Sequence, residues 1–83
     1  MYRAQVTITL KATVLDAQGA TIERALHNLG FAGVDGVRMG KHIELGIEAP
    51  DADTARRQVE EMCQQLLANP IIEEYRIEVL SGG

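Results

Sequence analysis

The side chains able to do chemistry are few and scattered along this chain. His27 and His42 stand fifteen positions apart, with no cysteine or paired carboxylate at ligand spacing, so they do not assemble a metal site. Glu73 and Glu74 are adjacent in what reads as a strand. Neighbours on a strand point to opposite faces, so the pair does not converge as a general acid and base. Cys63 is the single cysteine and has no intramolecular disulfide partner. It falls on an apolar helical stripe with no cation nearby to favour the thiolate, which makes it an inert core thiol. Gly19, Gly30, Gly36 and Gly40 form neither GxGxxG nor a P-loop. Arg38 and Lys41 remain. They flank a glycine turn, where two cations can meet a partner's carboxylates or phosphates. The residues thus offer contact chemistry and no catalytic, cofactor-binding or metal-ligating set.

The elements that position these residues follow from periodicity. Residues 2–11 alternate, Ala4, Val6, Ile8 and Leu10 against Arg3, Gln5, Thr7, Thr9 and Lys11, as a strand with one covered face does. Asp16 to Gly19 reads as a turn, and Ile22, Ala25, Leu26 and Leu29 as the apolar face of a short helix ended by Gly30. Val37 and Met39, then Ile43, Leu45 and Ile47, give two alternating runs broken at Gly40-Lys41, the pattern of a β-hairpin. Gly46 inside the second run marks a bulge or a close backbone approach.

Asp51 caps a second helix that reaches about Ala68, with Ala55, Val59, Met62, Cys63, Leu66 and Leu67 facing inward. Pro70 has no amide hydrogen and pushes Asn69 out of helical torsions, so the helix stops there, with Asn69 as a left-handed cap. Tyr75, Ile77 and Val79 then alternate with Arg76 and Glu78 as the last strand, and Ser81-Gly82-Gly83 is a tail. The order strand, helix, strand, strand, helix, strand predicts an α+β fold of the ferredoxin-like βαββαβ kind. Its antiparallel sheet carries both helices on one face.

A chain of 83 residues makes one domain over 1–83, and folding at this size buries only about 60–65% of the unfolded surface. A net charge of −4 argues against nucleic acid as a partner. No apolar run is long enough for a membrane span, and the opening strand is not a signal peptide, so the expectation is a soluble cytoplasmic protein.

Three segments carry a resemblance: Leu10-Lys11-Ala12-Thr13-Val14-Leu15-Asp16-Ala17-Gln18-Gly19, Val37-Arg38-Met39-Gly40-Lys41-His42-Ile43-Glu44-Leu45, and Leu66 through Glu78 with Asn69-Pro70 and Glu73-Glu74-Tyr75 at its centre. In that order and spacing the chain resembles the PurS family, the small subunit of phosphoribosylformylglycinamidine synthase. Ala17 departs from the pattern, where the family usually has proline. The resemblance implies a non-catalytic member of a glutamine-dependent carbon–nitrogen ligase complex in purine biosynthesis. That complex uses ATP, Mg²⁺ and glutamine to convert formylglycinamide ribonucleotide into formylglycinamidine ribonucleotide. It further implies a homo-oligomer, a dimer or dimer of dimers, that bridges a synthetase subunit and a glutaminase subunit and aids ammonia transfer. Arg38 and Lys41 are the expected partner contacts. The rival reading is a regulatory α+β module that binds an amino acid at the turn after the first strand. Such modules prefer more glycine there than the single Gly19 of this turn.

Overall fold

The computed structural model describes residues 1–81. Three strands, β1 (Tyr2–Leu10), β2 (Gly40–Ile47) and β3 (Glu73–Ser81), and two helices, α1 (Ala17–Asn28) and α2 (Ala52–Met62), follow in the order β1, α1, β2, α2, β3. A single π turn, Cys63–Leu67, extends α2. The sheet is antiparallel with β1 in the centre, in the order β2-β1-β3. This is the expected α+β, ferredoxin-like class with its antiparallel sheet. Gly82 and Gly83, the end of the expected tail, lie outside the described residues, and Ser81 closes β3.

Register follows hydrophobic alternation. Across one face run the rows Leu45–Ala4–Val79 and Ile43–Val6–Ile77, and at their end Lys41–Ile8–Tyr75. Ala4, Val6 and Ile8 are sealed beneath Ala55, Val59 and Cys63 of the second helical segment. The opposite face carries Gln5 between Glu44 and Glu78, and Thr7 between His42 and Arg76, and stays polar. Gly46 pairs regularly with Arg3, so no bulge interrupts β2.

Two expectations about this architecture are corrected. Residues 37–39 form no strand, so there is no hairpin at Gly40-Lys41 and β2 is one continuous strand from Gly40. The reason is that Val37 and Met39 spend their backbone amides on side chains of Glu23 and Asp16, not on a neighbouring strand. Nor do both helices lie on the sheet. α2 packs over β1 and β3, while α1, among the described residues, packs substantially on no strand and not on α2. The chain is elongated as a result, 50 × 28 × 14 Å, with a radius of gyration of 16.1 Å. A compact chain of this length has about 12 Å.

Local boundaries also shift. Asp16 caps α1 through its carboxylate, which accepts from Gly19 N at 2.9 Å, so the helix begins at Ala17 inside the expected turn. Its other end is a Schellman closure: Gly30, at φ 104°, donates to His27 O and Phe31 donates to Leu26 O. Asp51 caps α2 as expected, accepting from Thr54 N at 2.7 Å. Asn69 is not left-handed, since among the described residues none other than glycine has positive φ. The π turn closes the helix with Ala68 N donating to Cys63 O, and Asn69 Oδ1 accepts from Ile71 N instead. A π turn adds one residue to the repeat and rotates the following side chains. Ala68 is therefore buried beside Cys63, and Leu66, expected inward, is 82% exposed.

Candidate functional site

The dispersed chemical residues are placed by these elements into structural roles. His27 Nε2 donates to Val34 O at 2.7 Å, tying α1 to the loop after it. His42 lies 3.1 Å from Glu44 Oε2 on the open face of the sheet, where Arg3 also approaches Glu44 at 3.9 Å. Glu73 and Glu74 diverge across β3: Glu73 accepts from Asn69 N at 2.7 Å, and Glu74 faces the other side opposite Thr9. Cys63 is buried, and burial, with Glu60 nearby, pushes its thiol above the ordinary value. Among the described residues no group of three histidine, cysteine, aspartate or glutamate side chains is placed to hold a metal ion.

Arg38 and Lys41 do not share a hairpin tip. Arg38 lies in the strap 36–39, its Nη2 donating to Leu10 O and its Nε 3.9 Å from Asp16 Oδ2. Lys41 begins β2 on the α2-covered side and pairs with Glu73 at 3.6 Å, with 59% of its side chain still exposed. The two cations thus sit near the same end of the sheet, each with an internal partner.

A cluster that periodicity did not single out organises this end. Asp16 accepts from Gly19 N and from Met39 N (2.7 Å), and Glu23 accepts from Val37 N (3.1 Å). Those two amide bonds, with Arg38 beside them, hold the Asp16 carboxyl below its ordinary value, since each favours the ionised form. Gly19 is required by the same crossing, because a Cβ there would lie 2.5 Å from Val37 O. The only sequence signal for this joint is an aspartate at the head of a helix with a glycine three residues on. Glu23 reads from sequence as an ordinary first-turns carboxylate.

The groove lined by Thr13, Val14, Asp16, Glu23 and Arg38 is where the rival reading would seat an amino acid. Its carboxylates are engaged by the strap's own amides, and the turn leading into it is closed by Val14 N donating to Lys11 O.

Comparison with known proteins decides among the readings. The profile of the PurS family, phosphoribosylformylglycinamidine (FGAM) synthase, matches residues 3–81. The chain belongs to the PurS family. The PurS subunit of Bacillus subtilis phosphoribosylformylglycinamidine synthase is 48% identical over 79 residues, covering 95% of this chain and 93% of that one. The Synechocystis PurS subunit is 47% identical over 78 residues, 94% of this chain and 78% of its own. The Methanocaldococcus jannaschii PurS crystal structure, 44% identical, superposes with a TM-score of 0.91 over all of both chains. A chain of the Thermotoga maritima PurLQS structure, 34% identical, superposes at 0.87 and covers 95% of this chain and 96% of that one. The elongated PurS shape, with α1 off the sheet, is thus common to this chain and a close structural relative.

Proposed function

We propose that this chain is the small, non-catalytic subunit of a phosphoribosylformylglycinamidine synthase complex. There it bridges a synthetase subunit and a glutaminase subunit and aids passage of ammonia between them. The observation that carries the reading is the family match over residues 3–81, joined to the superposition on a chain of the Thermotoga maritima PurLQS structure. The reaction uses glutamine as nitrogen source and ATP with Mg²⁺ as driving cofactor, all held by the two partners. This chain contributes surface and works as a homo-oligomer in the cytoplasm. Bridging raises the effective concentration of ammonia at the synthetase, because the product of one site is released beside the next and not into bulk water. Arg38 and Lys41 meet the acidic surface of a partner.

The test is amidine formation with the two large subunits, with this chain omitted or added back. Glutamine-dependent turnover is expected to fall at least tenfold without it, while turnover with free ammonia is largely kept. Full glutamine-dependent activity in its absence would end the bridging reading.

A further inference from the structure

The exposed apolar residues of this chain are not spread evenly. The three most exposed large ones among the described residues are Leu66 (82%), Leu15 (80%) and Ile71 (80%). They stand on three different segments: the π turn after α2, the loop between β1 and α1, and the corner before β3. All three segments meet at the end of the sheet where Leu10 pairs with Glu73. Lys11 N donates to Ile72 O at 2.8 Å and joins the loop to the corner. Gln64 Nε2 donates to Tyr75 Oη at 2.8 Å and joins the π turn to β3. Single apolar side chains on a surface are ordinary, whereas several brought to one place mark a contact.

The backbone that carries these side chains is already fixed. Asn69 O accepts from Ile72 N and Glu73 N, Asn69 Oδ1 accepts from Ile71 N, and Glu73 Oε1 accepts from Asn69 N. The loop is closed by Val14 N donating to Lys11 O at 2.9 Å. Little ordering entropy is lost when a partner covers side chains held in this way. The π turn fits the same use. A regular helix would keep Leu66 on the inward stripe, and the added residue turns it outward instead.

Charge at this end runs against that of the whole chain, which is −4. The carboxylates of Asp16, Glu23 and Glu73 are each engaged by backbone amides. The cations Arg38 and Lys41 keep 37% and 59% of their side chains exposed, and Lys11 has no carboxylate at ion-pair distance among the described residues. Glu74, which is exposed, turns to the open face of the sheet. A two-fold contact of this end with itself would set Lys11 and Lys41 against like charges. A surface of opposite sign fits it.

We propose that the Leu10 end of the sheet docks one of the two large subunits, with Leu15, Leu66 and Ile71 seated in an apolar socket whose rim is acidic and faces Lys11. The proposal rests on the reading of this chain as a subunit that joins two larger ones, and it names the anchors of one of those contacts. Desolvation of the three apolar side chains supplies the affinity, and the cations set register and approach.

The experiment titrates the full chain into a mixture of the two large subunits and follows its cosedimentation with them. The double variant Leu15→Ser, Ile71→Ser is expected to raise the half-saturating concentration at least tenfold, and Lys11→Glu at least threefold. None of these positions belongs to the buried core, so thermal unfolding and the sedimenting mass of the chain alone are expected to match the parent. Raising salt from about 50 to about 300 mM is expected to narrow the gap between Lys11→Glu and the parent, because exposed charges are screened. Parent-like half-saturation in both variants overturns the proposal. A reduced sedimenting mass of either variant alone overturns it by giving this end to a second copy. Capture of the parent, but not of the double variant, by vesicles of phosphatidylserine and phosphatidylcholine overturns it by giving this end to a membrane. The add-back assay scores the subunit reading separately. Glutamine-dependent turnover that persists without the chain ends that reading, whereas turnover that needs the chain, with parent-like binding of the variants, ends the docking face alone.

Discussion

At the scale of single residues, the chain's chemistry is that of positioning. Cys63 has the hydrophobic core, not a reaction, around it: 0% exposed, its thiol raised by burial. Labelling by a thiol reagent is therefore expected to be slow in native protein and fast after unfolding, and equal rates would contradict its placement. Cys63→Ser is expected to cost about 1–3 kcal/mol in denaturant unfolding, because a hydroxyl would be buried with no partner. Gly19 and Ala17 give opposite expectations two residues apart. Gly19→Ala puts a methyl into the Asp16 carboxylate and Val37 O, and overpacking against backbone is expected to cost about 1–3 kcal/mol. Ala17 is the first residue of α1, where proline lacks only an amide that has no helical partner. Ala17→Pro is expected to stabilise by about 0.4–1 kcal/mol through the unfolded chain. A lower urea midpoint for Ala17→Pro would show that the turn before it is not preset for proline.

At the scale of elements, the joint between α1 and the strap is sensitive to pH. The folded Asp16 carboxyl lies below its ordinary value of 3.8, with the Gly19 amide the largest cause and the Met39 amide next. A depressed carboxyl contributes stability that is fully present above the unfolded value and is lost as pH falls through the folded one. Acidification below about pH 4 is therefore expected to loosen α1 from the strap. Amide exchange should rise at Gly19 and Met39 before it rises in β1. Asp16→Asn keeps the shape but removes the charge, so in that variant the Met39 amide should exchange faster at neutral pH and show a weaker acid dependence. Asp51 acts on α2 in the same manner through Thr54 N, and Asp51→Ala is expected to lower the urea midpoint of unfolding.

At the scale of the whole molecule, the elongated shape and the open apolar face of α1 make isolation the wrong state for this subunit. Sedimentation at micromolar concentration is expected to give no species as small as the single chain, and a monomer alone would contradict the oligomer. The two proposed partner contacts separate by what else they do. Arg38→Ala removes the bond to Leu10 O and the charge beside Asp16, so it is expected to lower both stability and complex assembly. Lys41→Ala breaks an exposed pair with Glu73, worth about 0–1 kcal/mol. A loss of glutamine-dependent turnover in Lys41→Ala at unchanged stability is therefore the cleaner sign of a partner contact, and unchanged turnover would remove Lys41 from that surface.

Much of this protein could be read from its residue order. Alternation in residues 2–11 and 75–79 pointed to β1 and β3 and the face each turns to the core, because a period of two puts Val6 and Ile77 on the same side as α2. Asp51, Gly30 and Pro70 set helix limits by local backbone chemistry, which acts wherever the rest of the chain lies. The three family-like segments likewise carried the functional reading without a structure. Tertiary structure decided what depended on distant partners. Val37 and Met39 alternate as a strand does, but their amides are taken by Glu23 and Asp16, so the hairpin does not form and the cations Arg38 and Lys41 lose their shared tip. Leu66 lies on the expected stripe until the π turn adds a residue and rotates it to solvent. The apolar face of α1 was legible, but that it does not lie on the chain's own sheet was not. Periodicity shows that a helix has an inside, whereas the strap that holds it off its own sheet is made of contacts between residues 16, 19 and 23 and residues 37–39, which no local pattern records.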